Sequence, residues 1–246
     1  MKIQNLQWNK ISILLFLVAA NASAGPPFFT DDPEPVGYRH WEFYIASLQQ
    51  FGNHESDVTA PHFEMNYGVI PDLQLHLIAP LEYVHSADGT RYGYSDTELG
   101  VKYRFVGETE SIPQVGVFPL VELPTGNHNE ELGTGKAQVY LPLWVQKSWG
   151  KFTTYAGGGF WYNPGAGERN WTFEGWEFQY DFSEIVTLGG EIYHQSADIQ
   201  DSPSSSGFNV GGFINLNDND HILFSAGRSM SGPATITGYL GFQLTI

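Results

Sequence analysis

The residues best placed to do chemistry are His194, Gln195 and Ser196. Residues i and i+2 of a strand share a face, so His194 and Ser196 could act as base and nucleophile, with Glu191 or Asp198 orienting the imidazole. Such a pair needs a third member held in place, and nothing in the sequence fixes one. We therefore read a strand-end His and Ser facing loop water, and no catalytic residue is assigned. The eight histidines are scattered, with no His-Glu-x-x-His spacing. The acidic tips at 127–131, Asp198 with Asp201, and Asp218 with Asp220 could hold calcium but lack the EF-hand pattern, so they read as solvated loops and no metal or cofactor is expected. Gly133-Thr134-Gly135-Lys136 is not a phosphate loop, because no Gly-x-x-x-x-Gly-Lys-Ser/Thr opens a helix there.

A second polar set is larger and more ordered: Glu64, His76, Glu82, Glu98, Lys102, Arg104, Glu122, Lys136, Gln138, Glu177, Gln179 and Glu191. Each falls on the polar face of a run that alternates with period two. In 97–105, Thr97, Leu99, Val101, Tyr103 and Phe105 form an apolar face against Glu98, Gly100, Lys102 and Arg104. That period is a strand. Twelve such runs follow one another: 39–51, 59–69, 73–84, 97–105, 114–123, 136–148, 152–162, 170–181, 185–196, 207–216, 221–227 and 234–246. Most are near the roughly ten residues a tilted strand needs to cross a bilayer.

The connections sort by length, short after even-numbered strands and generally longer, polar and Gly-rich after odd-numbered ones. Short periplasmic turns, longer external loops and an even strand count are the requirements of an outer-membrane barrel. The expected fold is all-β: a transmembrane, antiparallel, up-and-down β-barrel of twelve strands over 39–246, in a Gram-negative outer membrane among its lipid and lipopolysaccharide. The polar set would then line the lumen. So many charges cannot be buried dry, at several kcal/mol each unless paired, so the lumen must be wet or internally paired. Twelve strands should leave it narrow. Tyr83, Tyr103, Phe105, Trp149, Phe152, Trp161, Tyr162, Trp171, Phe182 and Phe242 lie toward strand ends, where interfacial girdles sit.

Composition narrows the class further. No stretch after the first twenty residues approaches the ~18 apolar residues of a spanning helix, and the chain has no cysteine. A net charge of −16 argues against nucleic acid as a partner. Lys2 and Lys10, the apolar run 11–20 and Ala22-Ser23-Ala24 form a signal peptide over 1–24, with cleavage predicted before Gly25. Residues 25–38 carry four prolines and cannot donate a continuous ladder. They read as a Pro-rich periplasmic tail or as a segment tucked into the barrel mouth.

Pro61, Pro80, Pro119 and Pro142 lie inside predicted strands, where each must mark a bulge or leave a carbonyl unpaired. Antiparallel pairing of strands five and six would bring Pro119 near Pro142 and weaken one seam of the wall.

Together, 25–35 (Gly-Pro-Pro-Phe-Phe-Thr-Asp-Asp-Pro-Glu-Pro), 96–105 (Asp-Thr-Glu-Leu-Gly-Val-Lys-Tyr-Arg-Phe), Val121-Glu-Leu-Pro-Thr-Gly with Gly133-Thr-Gly-Lys, and Tyr193-His-Gln resemble the outer-membrane transporter-like proteins grouped as "MetA-pathway of phenol degradation". The resemblance spans the whole mature chain and implies a porin-like transporter or narrow channel for a small-molecule solute, aromatic or hydrophobic. It supplies no functional residues. The alternatives are a closed structural or adhesive barrel, and an enzyme using His194 and Ser196, an arrangement similar to the His-x-Ser of outer-membrane lipid A deacylases.

Overall fold

The computed structural model describes residues 25 to 53 and 55 to 246; the predicted signal peptide, 1–24, lies outside them. The alternating runs form fourteen strands: β1 Trp41–Phe51, β2 Ser56–Ile70, β3 Leu73–Ser86, β4 Gly89–Tyr94, β5 Thr97–Val106, β6 Gln114–Val117, β7 Leu120–Leu123, β8 Gln138–Trp149, β9 Phe152–Tyr162, β10 Trp171–Asp181, β11 Val186–Gln195, β12 Ser205–Asn215, β13 Asp220–Ser231 and β14 Ile236–Thr245. They make one antiparallel sheet that closes on itself through β1 and β14, from Glu42 opposite Thr245 to Phe51 opposite Ile236. β4 and β5 pair successively with β3 and form one wall position, as do β6 and β7 between β5 and β8. The barrel therefore has twelve wall positions. Trp41 and Ile246 exchange backbone hydrogen bonds of 2.7 and 2.9 Å, so the first strand begins and the last ends at the same rim.

The alternation decides which face meets which medium. On β2, His62, Glu64 and Asn66 are buried while Phe63 is exposed. On β8, Gln138, Tyr140, Trp144 and Gln146 are buried, whereas Leu141, Leu143 and Val145 lie outside. This inverts a water-soluble sandwich and suits a wall with hydrocarbon outside. A closed ladder also leaves no backbone edge unpaired in lipid.

Three of the four interior prolines sit where the ladder breaks. At Pro61 the β2–β3 register shifts between Thr59 and His62. Pro80 lies where β3 changes partner from β5 to β4, and its carbonyl accepts from Ser95 N at 3.1 Å. Pro119 separates β6 from β7. Pro142 instead stays within β8, opposite Gly159.

Two readings of the chain need correction. The polar loop expected at 85–93 is largely a hairpin, because Thr90, Tyr92 and Tyr94 favour a strand and Ala87-Asp88 make its two-residue turn, with Gly89 at positive φ opening β4 opposite Ser86. Lys136 precedes β8 and is exposed in the loop before it, so it does not line the lumen.

Closure predicts a gel result. Without boiling, the detergent-solubilised protein should migrate as a compact band that shifts on heating, since the ladder has no free edge at which to unzip. A single band position at all temperatures would contradict the closed barrel.

Candidate functional site

A cavity in the external half of the barrel measures about 310 Å³. One wall is aromatic. Tyr140 stacks on Trp161 at 4.8 Å and Trp161 on Trp171 at 5.2 Å, a ladder running across β8, β9 and β10 in strand register. Trp144 meets Phe173 edge-on at 6.5 Å, and Phe118, just past β6, and Leu120, on β7, continue the wall. The facing wall, from β12 to β14, presents Ser205, Ser229, Thr235 and Thr237. An apolar cavity of about 150 Å³ holds a benzene. This one has room for a one-ring or two-ring solute.

Its floor is the Pro-rich N-terminal segment, which enters the barrel and docks on the lumen wall. Glu191, on β11, accepts from Phe29 N (2.9 Å), Thr30 N (2.7 Å), Thr30 Oγ1 (2.6 Å) and Asn209 Nδ2 (2.6 Å). Thr30 fits against β10 because residue 175 is glycine; a Cβ there would collide with its hydroxyl. Phe29 then packs edge-on against Tyr193 at 5.1 Å and closes the cavity from below.

The same segment supplies partners for the lumen's cations. Lys102 Nζ lies 2.9 Å from Asp31 Oδ1 and 3.3 Å from Asp32 Oδ2. Arg104 lies 3.6 Å from Glu34 and 2.6 Å from Asp72 at the adjacent turn. Gln114 and Gln146 both donate to Glu34, and Val36 N donates to Gln74. Burial pushes the Asp32 carboxyl well above the ordinary carboxylate range, while Lys102 pulls it down.

Of the twelve polar positions singled out in the sequence, Glu64, His76, Lys102, Gln138, Glu177, Gln179 and Glu191 are buried inside the barrel, and Glu82, Glu98, Arg104 and Glu122 are half-buried. His76 sits between Asn66 Oδ1 (2.6 Å) and Glu98 Oε1 (2.8 Å), in a network across β2, β3 and β5, and its ring meets Phe118 edge-on at 5.1 Å. Glu177 is wholly buried, and neither of its oxygens has a partner among the described residues.

The aromatic wall was misread or missed in the sequence. Trp161 and Trp171, expected in the interfacial girdle, line the cavity instead. Tyr140, Trp144, Phe173 and Tyr193 were not singled out, yet parity identifies them: Tyr140 and Trp144 share a face with Gln138 and Gln146, Phe173 with Glu177, and Tyr193 with Glu191. An aromatic on the polar face of a spanning strand points inward.

The His194–Ser196 pair of the enzyme alternative does not form. His194 Nδ1 lies 2.9 Å from Ser206 Oγ on β12, while Ser196 Oγ accepts from Thr172 N at 2.8 Å. His194→Ala and Ser196→Ala should leave lipid A acylation unchanged in expressing cells, whereas a base or nucleophile would lose orders of magnitude in rate. Acyl loss that depends on both side chains would contradict this. No group of three or more His, Asp or Glu side chains able to hold a metal ion occurs among the described residues.

No protein-family model matches the sequence, and no curated protein is significantly similar to it. Among solved structures it is similar to a COG4313 outer membrane channel from Pseudomonas putida F1, at 18% identity over 91% of this chain and 100% of that one, with a TM-score of 0.67. The KdgM porin is 11% identical over 82% of this chain and 98% of that one, TM-score 0.55. The CymD monoaromatic hydrocarbon channel is 8% identical over 85% and 89%, TM-score 0.52. These structures are named as channels or porins, and at such identities the likeness establishes the fold: an outer-membrane β-barrel.

Proposed function

We propose that the protein is an outer-membrane channel for small hydrophobic or aromatic compounds. The observation that carries this reading is the stacked aromatic wall of the cavity, formed from inward-facing positions where a purely structural barrel could use any apolar side chain. A planar solute offers the same ring contacts, each worth roughly 0.5–1.5 kcal/mol beyond its buried area. The hydroxyls opposite can receive a single polar substituent. The motif likeness to the "MetA-pathway of phenol degradation" group and the fold of CymD agree with this reading. The solute would enter between the external loops and collect above Phe29.

The exit follows from the wall. Val117 pairs with Leu143 and Leu120 with Tyr140, which leaves Phe118-Pro119 facing Leu141-Pro142 with no ladder pairing between them. Both prolines lack the N–H that could close the gap. Phe118 and Leu120 line the cavity at this height, so the cavity lies against a gap in the ladder. A solute leaving here never needs to displace the N-terminal segment.

Binding is tested by tryptophan fluorescence, because Trp144, Trp161 and Trp171 line the cavity. Toluene should shift or quench the emission saturably, and Trp161→Ala, which removes the centre of the stacked ladder, should weaken binding by about tenfold. An unsaturable response equal in both proteins would contradict the reading.

A further inference from the structure

We infer that the α-ammonium of mature Gly25, released by signal-peptide cleavage, docks inside the barrel beside Asp31 as a cation for the acidic centre of the lumen. The inference rests on cleavage after Ala24, where Ala22-Ser23-Ala24 fits a signal peptidase. It is independent of the solute carried.

Geometry places the new terminus within the lumen. Gly25 is buried; its carbonyl receives Phe28 N at 3.4 Å in a tight turn, and Pro27 O accepts from Ser225 Oγ on the inner face of β13 at 2.6 Å. A side-chain carbon on Gly25 would lie 3.7 Å from Asp31 Oδ1. The backbone nitrogen is one bond from the same α-carbon.

Charge supplies the second line. At this height the lumen gathers Asp31, Asp32, Glu177 and Glu191, the other three within electrostatic reach of Glu177, against Lys102. Glu191 is satisfied by N–H and O–H donors from the docked segment and Asn209. Asp31 and Asp32 share Lys102, and Arg104 is engaged by Glu34 and Asp72. Glu177 has no partner among the described residues. Carboxylates in such excess, Asp32, Glu177 and Glu191 buried among them, are costly unless they take up protons or a further cation joins them.

Processing makes one. Water adds across the Ala24–Gly25 peptide bond: the acyl carbon takes the hydroxyl and leaves as the Ala24 carboxylate, and the Gly25 nitrogen takes up protons to become an ammonium. One neutral N–H donor becomes three donors carrying a positive charge. Beside carboxylates the protonated form is favoured over its ordinary balance near pH 8. The N-terminal segment would therefore reach its full hold on the wall only after export and cleavage.

Limited reductive methylation of the mature protein, purified from outer membranes in detergent, tests this through mass spectrometry of the N-terminal peptide. The α-amine should react about tenfold more slowly in the folded protein than in guanidinium, the factor that one pKa unit gives. Asp31→Asn should remove most of that protection, with heat-modifiable migration retained. Lys102→Met, which breaks the same ion pair but keeps Asp31, should preserve it. Equal rates folded and unfolded, a first residue other than Gly25, protection unaffected by Asp31→Asn, or equal loss in both variants would each overturn the inference.

Discussion

Glu191→Ala should unseat the N-terminal segment and raise the time-averaged conductance of the reconstituted protein more than any other single substitution in the lumen. The carboxylate accepts three hydrogen bonds from Phe29 and Thr30 across 161 or 162 residues of sequence. Hydrogen bonds to a charged group contribute about 1.5–3 kcal/mol each, so their joint loss moves the docking equilibrium by on the order of a thousandfold or more. The segment also holds Lys102 and Arg104, and its departure leaves those charges to lumen water. Planar-bilayer recordings should show long open periods where the parent protein is mostly closed, and an added protease should cleave within 25–38. Unchanged conductance with an intact segment would mean that Glu191 is not what holds it.

The second large effect is expected at the seam. Val117 and Leu143 are paired across β6 and β8, as are Val121 and Val139 across β7 and β8, one pair on each side of the unpaired stretch. The chain has no native cysteine, so cysteines at either pair can form only the intended bridge. Directly opposed strand residues come within disulfide reach. With either pair oxidised, uptake of toluene by intact cells should fall at least about fivefold and recover on reduction, because separating the strands there breaks few ladder bonds of about 1 kcal/mol each. Conductance through the lumen should not change. Equal uptake in the oxidised and reduced states would exclude the lateral exit and send the solute past Phe29.

What the sequence made legible follows from period and parity. The inversion of faces at Thr97 to Phe105 is enough to put Lys102 inside and Leu99 outside, and the sorted loop lengths set the strand count. The prolines marked breaks correctly at Pro61, Pro80 and Pro119. They could not give register: Pro119 faces the stretch Leu141-Pro142, and Pro142 stays paired on its other side. The hold of Glu191 on Thr30 was not legible, since period two says which way a side chain points and nothing about what occupies the lumen. The acidity of Asp31, Asp32 and Glu34 made sense only once Lys102 and Arg104 were seen opposite them. The serine beside His194 was not legible either, because cross-strand register, not the i+2 spacing of the enzyme alternative, sets its neighbour as Ser206.

The initial rate of radiolabelled toluene uptake by intact Gram-negative cells decides whether the aromatic wall is a route. Lipopolysaccharide makes the outer leaflet the barrier that such a channel would bypass. Cells producing the protein should take up toluene several-fold faster than cells without it. The combined change Tyr140→Ala and Trp161→Ala, with unaltered heat-modifiable migration, should return the rate toward that of cells lacking the protein. A polar solute of similar size should gain little from the parent protein. Toluene uptake that is the same with the parent, the variant and no protein would contradict the channel reading.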